Sequence, residues 1–216
     1  MSFFMFVNNV LSIGIPFSVA LLLAALGEMF NQRAGVFNLG CEGIMSMGAF
    51  IGFLPAYYLQ ETTLAPYANM IGIMGAAAIG VLLGILYALV TVTFKAPQGI
   101  AGIGLQMLGW GIAGTLFRFF IGGVTGVPGL PNRPIPLLSK IPFLGPIIFS
   151  MNGLAYFAFL FVPFSYYLLF KTPWGLKVRA VGTYPRAADT MGIPVSKTRY
   201  QALALGGLLA GLAGAY

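Results

Sequence analysis

Side chains able to do chemistry are scarce in this sequence. It holds no histidine, one cysteine (Cys41), and four acidic residues against eleven basic ones. With no imidazole and one thiol, the usual zinc, copper and haem ligand sets cannot be assembled. A Ser-His-Asp or Cys-His catalytic group is excluded on the same ground. A nucleotide-binding P-loop needs glycine directly before its lysine and Ser or Thr after it. None of Lys95, Lys140, Lys171, Lys177 and Lys197 follows a glycine. The expectation is therefore a chain without catalysis, metal or cofactor, in which any ATP hydrolysis belongs to a partner.

What remains is a set of polar side chains embedded in apolar sequence, namely Asn38, Glu42, Gln98 and Gln106. Asn38 and Glu42 are four residues apart, which places them on one face if the segment is helical. Glu42 then lies about 10 Å inside a membrane span at ~1.5 Å rise per residue. An ionised acid at that depth costs a few kcal/mol and must face protein or water. Two roles stand open for it. It lines a substrate path or relays a proton, or it bonds a donor on a neighbouring helix and fixes packing. The second is preferred, because no histidine or second deep carboxylate completes a relay. Arg118 is close enough to a span end to snorkel to the interface, and Glu28 and Arg33 are expected at the inner membrane surface.

The elements that position these residues follow from composition. Of 216 residues, 59% are hydrophobic and 7% charged, with 30 glycines and 14 prolines. Mean hydropathy is +0.92. A soluble domain carries about a quarter charged residues, so this chain lacks the polar surface for water. The class is all-α, a polytopic transmembrane helix bundle forming a single domain over 1–216. A span needs about 20 apolar residues. Such stretches lie near 6–27, 35–58, 69–94, 98–121 and 153–170, with a sixth from Tyr200. No Lys or Arg precedes Arg33, so the basic region of a cleavable signal peptide is missing and the first span is expected to stay. The sixth span holds 17 residues to Tyr216 without a closing polar flank, as if a longer protein continued from there.

The net charge of +7 is a topology signal rather than a nucleic-acid footprint. The segment 171–199 carries Lys171, Lys177, Arg179, Arg186, Lys197 and Arg199. Placing it in the cytoplasm and alternating backwards puts Arg33 and Lys95 inside too. Eight basic residues then face the cytoplasm and two, Arg133 and Lys140, face out, with the N-terminus outside. The Gly- and Pro-rich tract 122–152 becomes an irregular outer cap.

Gly48 and Gly52, Gly80 and Gly84, and Gly207 and Gly211 are pairs four apart, a spacing that lets helix backbones approach closely. In the fourth span, Gly99, Gly102, Gly104, Gly109, Gly111 and Gly114 leave open either a broken helix of the transporter kind or close packing without a break.

Within 171–199, Pro185 suits the first position of a helix and Gly192 the position just past its end. Pro194 forbids continuation. A short helix over 185–191, pinned at both ends and lying outside the bilayer, is expected. Its small Ala187-Ala188 surface suits a fit against another protein.

These residues carry a resemblance. Thr172 to Ile193 is similar to the pattern T-P-x-G-x-x-x-R-A-V-G-x-x-P-x-A-A-x-x-x-G-I of permease subunits of ATP-binding-cassette importers, in the branched-chain amino acid, ribose and nucleoside group. Thr183-Tyr184 stands where members often carry Glu-Asn or Ser-Asn. Arg33 to Met45 resembles a second block, R-[ST]-G-V-x-N-[LI]-G-x-E-G-x-M, with Ala34 in place of the usual hydroxyl residue. The short N-terminus and Gln98-Gly99-Ile100-Ala101-Gly102 look most like nucleoside-type members. The resemblance implies that 171–199 is a cytoplasmic coupling loop docking on the ATPase, through Gly175, Arg179, Gly182, Pro185, Ala187, Ala188 and Gly192. It also implies ATPase subunits, a second permease subunit (identical or not), an extracytoplasmic substrate-binding protein and a bacterial-type inner membrane. The solute ranks nucleoside first, then simple sugar, then branched-chain amino acid. The competing functions are a gradient-driven secondary transporter, with Glu42 carrying the proton, and a structural membrane-assembly subunit.

Overall fold

The computed structural model describes residues 3–122, 129–132, 134, 136, 139 and 148–216. Arg133, Lys140 and much of the expected outer cap, including Gly126, Pro128 and Pro142, lie outside the described residues. Among those described there are eight α-helices and no sheet. They are α1 (Phe3–Arg33), α2 (Cys41–Tyr58), α3 (Ala68–Ala88), α4 (Gln98–Phe120), α5 (Gly153–Lys171), α6 (Pro173–Thr183), α7 (Pro185–Thr190) and α8 (Val195–Ala215). A helix stands at each of the six expected spans.

Helix ends follow local chemistry. The Asn152 side chain accepts from the Ala155 N–H at 2.9 Å and so caps α5. Thr172 separates α5 from α6. Its hydroxyl donates to the Leu168 carbonyl and accepts from the Gly175 N–H at 3.1 Å, while Pro173 occupies the first position of α6. α3 runs on into a π-helical turn, Leu89–Thr93. Here the Thr91 hydroxyl donates to the Tyr87 carbonyl at 2.7 Å.

α8 is the axis of the bundle and packs on α1, α2 and α3, while α4 lies against α2. Its burial runs nearly all round, over Ala202, Leu203, Gly206, Gly207, Leu209, Ala210, Gly211 and Leu212. The expected glycine pairs converge on it. A Cβ at Gly80 would collide with the Gly207 carbonyl oxygen, one at Gly84 with that of Leu203, and one at Gly48 with that of Gly211. Three helices therefore meet backbone to backbone, and close van der Waals contact replaces the hydrophobic effect that lipid cannot supply.

Among the described residues, four helical segments are long and apolar enough to cross a membrane: Val10–Arg33, Ala65–Thr93, Gln98–Phe120 and Gly153–Lys171. α2 is only 18 residues long and contains Glu42. α8 opens with Lys197 and Arg199 and is built from small residues. A helix wrapped by other helices needs small side chains more than apolar bulk.

The structure corrects three expectations and decides one alternative left open. α1 continues through Arg33, so 28–33 is helix and not loop. The second span begins at Cys41, because 34–40 is irregular. The stretch read as loop before Pro185 is the helix α6. The fourth span is unbroken. Its Gly102 and Gly109 are small because a Cβ there would collide with the backbone of Leu39 and Gly43.

Candidate functional site

The irregular connection 34–40 carries backbone N–H and C=O groups that no helix satisfies, next to helices apolar enough to span a bilayer. Such backbone is tolerated only where protein supplies partners. Four side chains do so here. Gln98, at the start of α4, accepts from the Phe37 N–H at 2.9 Å. Glu28, from α1, accepts from the Asn38 N–H at 3.0 Å. Asn38 accepts from the Gly40 N–H at 2.8 Å. The Tyr87 hydroxyl sits 2.7 Å from the Phe37 carbonyl oxygen and 3.0 Å from that of Gln98, sharing its one proton between them. Asn38 and Tyr87 are buried.

Asn38 and Glu42 therefore do not share a helix face, since Asn38 precedes the helix. Asn38 turns into the connection. Glu42, exposed on this chain, instead meets Gln106 of α4, whose Nε2 donates to the carboxylate at 2.7 Å. Glu28 was expected at the inner membrane surface. It is half-buried, and its carboxylate also accepts from Asn31 at 2.9 Å and Gln32 at 3.3 Å. The spacing of Glu28, Asn31 and Gln32, three and four apart, was the signal available for it.

The basic segment after α5 folds back on the same connection. A Cβ at Gly175 would collide with the Leu168 and Leu169 carbonyls, and one at Gly182 with the Arg33 carbonyl. The Arg199 Nε donates to the Ala34 carbonyl at 3.3 Å. Trp174 anchors α6 by donating to Gln201 at 3.0 Å and packing on Phe30 at 6.0 Å. The Arg179 guanidinium lies over the Phe170 ring at 4.9 Å, with that of Arg33 at 5.9 Å.

α7 has the boundaries expected of it within one residue. Pro185 opens it and Gly192 follows it in the left-handed region, at φ 79°. The Ile193 N–H returns to the Ala188 carbonyl at 3.0 Å. The two alanines differ, however. Ala188 is buried at 5% exposure against this chain, whereas Ala187 is exposed. The outward surface of α6 and α7 also holds Leu176, Tyr184 at 72% and Met191 at 81% exposure. Gly175, Arg179 and Gly182 thus serve internal packing, while Ala187 stands on the free face. Among the described residues no cluster of three metal-ligating side chains occurs.

The chain is similar to named permeases. It is 38% identical over 219 residues to the guanosine ABC transporter permease protein NupQ of Bacillus subtilis, covering 95% of this chain and 67% of the relative. It is 35% identical to the putative glucose ABC transporter permease protein TsgC13 of Haloferax volcanii, covering 98% and 63%. It is 34% identical to the nucleoside ABC transporter permease protein NupC of Lactococcus lactis subsp. cremoris, covering 92% and 63%. The chain thus spans about two thirds of the length of these relatives. No solved structure gives a significant match. The family described as branched-chain amino acid transport system / permease component matches residues 10–216. With that match over nearly its whole length and an all-helical, span-forming fold, this chain belongs to that permease family.

Proposed function

We propose that this chain is the membrane-spanning permease subunit of an ATP-driven importer, carrying a nucleoside or a related hydroxylated solute across a bacterial-type inner membrane. Six spans cross the bilayer, the N-terminus lies outside, and α6 and α7 lie in the cytoplasm. The permease works as a pair, receives solute from an extracytoplasmic binding protein, and takes its energy from ATPase subunits. The named relatives support the solute class.

The observation that carries the reading is the placement of α6 and α7. Two short helices follow a membrane-length helix and present Leu176, Tyr184, Ala187 and Met191 outward, and the first of them, α6, rests Gly182 on the connection 34–40 at Gly35. An ATPase moving that surface would push, through Gly182, on the backbone that leads into α2 and Glu42. Alternating access then follows from tilting α2 and α4 relative to the α8 axis. A gradient-driven carrier is not favoured, because the named relatives are permeases of ABC transporters.

The test is uptake by proteoliposomes holding this chain with its ATPase and binding protein. Labelled guanosine accumulates with ATP and not with an imposed proton or sodium gradient. Gradient-driven uptake without ATP would overturn the reading.

A further inference from the structure

We propose that the groove between α2 and α4 is a solute subsite for a molecule with a hydroxylated part and a planar ring, the nucleoside class. This deepens the permease reading and rests on it.

The groove measures about 460 Å³, inside the ~300–1,000 Å³ range of small-molecule sites. Glu42 and Gln106, bonded to each other, are not among its lining residues but lie one helical turn before Ser46 and Trp110, which are. Ser46 and Trp110 form its walls one turn further along their helices, and Phe53 and Phe117 meet at 5.7 Å across the far end. Depth decides what the face can be. Gln106 lies eight residues into the membrane-length helix α4, about 12 Å from its start at ~1.5 Å per residue. The carboxylate bonded to it is exposed on this chain. A charge at that depth cannot face lipid and must meet water, a polar ligand or another protein chain.

The chemistry of the lining, and of the Glu42–Gln106 pair one turn beyond it, selects the ligand. One Glu42 oxygen is engaged by Gln106, and among the described residues the other has no partner. It and the Gln106 side-chain oxygen are acceptors, matched by the vicinal hydroxyls of a pentose. Trp110, half-exposed, offers its ring face to a base, with Phe53 and Phe117 beyond it. Stacking of this kind tolerates any base. A sugar without a ring system would use only the polar end.

The experiment uses the assembled transporter in membranes, with Cys41→Ala removing the one native thiol. Ser46→Cys is treated with a membrane-impermeant, cationic thiol reagent, with and without guanosine, uridine or glucose. Ser46→Cys is expected to react, and Ile112→Cys, on the opposite face of α4, to stay unreactive. Guanosine and uridine each slow the Ser46→Cys reaction, by about fivefold at about four times Kd, while glucose at the same concentration does not. Trp110→Ala raises the half-protecting guanosine concentration about tenfold and leaves ATPase co-purification unchanged. An unreactive Ser46→Cys, reaction without protection, equal protection by glucose, or a Ser46→Cys disulfide between two copies would each overturn the proposal. Wild-type ATP-driven uptake with an unprotected Ser46→Cys sinks the subsite alone. Protection without any ATP-driven uptake sinks the permease reading alone.

Discussion

Gly35 and Gly182 meet backbone to backbone. A Cβ on Gly35 would lie 3.1 Å from the Gly182 Cα, and one on Gly182 would collide with the Arg33 carbonyl oxygen. Gly35 also adopts a φ of 76°, where a side chain is strained. The helix α6 is therefore held against the connection 34–40 by contact that no side chain can cushion. Gly182→Val forces the two apart at a cost of about 1–3 kcal/mol. The variant is expected to insert normally, lose several degrees of thermal stability in detergent, and lose uptake more than ATPase binding. Unchanged uptake with unchanged stability would show that this contact transmits nothing.

Glu28 holds the other side of the connection. Glu28→Ala leaves the Asn38 N–H, a donor at a buried residue, without its acceptor, costing about 1–3 kcal/mol. Gln32→Ala removes only an exposed 3.3 Å bond. Thermal unfolding monitored by size-exclusion should rank Glu28→Ala clearly below Gln32→Ala. Equal stability would mean that the Glu28 carboxylate does not hold this connection.

The contrast between these residues shows what was legible in the sequence. Helices near the six apolar stretches and the limits of α7 rest on local signals, apolar length and the Pro185 and Gly192 punctuation, and these were readable, although α2 starts six residues later than its stretch. The meeting of the glycine pairs was readable as packing. The connection 34–40 was not, because Val36, Phe37 and Leu39 are apolar enough to pass for helix. Its hydrogen-bond partners Tyr87 and Gln98 lie 50 and 61 residues away along the chain. No local pattern reports a contact of that range. The helix α6 is a different case. Thr172 followed by Pro173 is a helix-start signal, and the density of basic residues obscured it.

Two classes of glycine should separate on substitution. Gly207 faces the Gly80 backbone, and Gly104 and Gly111 have nothing within 4 Å of a built Cβ. Gly207→Leu is expected to abolish the monodisperse folded peak. Gly104→Ala and Gly111→Ala are expected to be neutral or to stabilise by up to about 0.5–1 kcal/mol, as alanine outperforms glycine inside a helix. Tolerance of Gly207→Leu would contradict the close packing of α3 on α8.

The proposed orientation rests on the basic residues and is open to direct labelling. In a Cys41→Ala background, Thr62→Cys, between α2 and α3, should react with an impermeant reagent added outside intact cells. Thr183→Cys should react only after the membrane is opened. The reverse pattern would turn the bundle over and place α6 and α7 on the wrong side for an ATPase.

The proposed docking of an ATPase on α6 and α7 is tested most directly at Ala187, which is exposed and lies outside the membrane-length helices, and whose internal bonds, from the Met191 N–H and the Thr190 hydroxyl, go to its backbone carbonyl and not to its side chain. The measurement is the affinity of the purified ATPase for membranes containing the Ala187→Trp variant. A bulky ring in a fitted contact costs about 1–3 kcal/mol, enough to weaken binding about tenfold. The predicted result is normal insertion and stability with an affinity lowered about tenfold and a matching loss of ATP-driven uptake. Wild-type affinity and wild-type uptake in that variant would contradict docking at this surface.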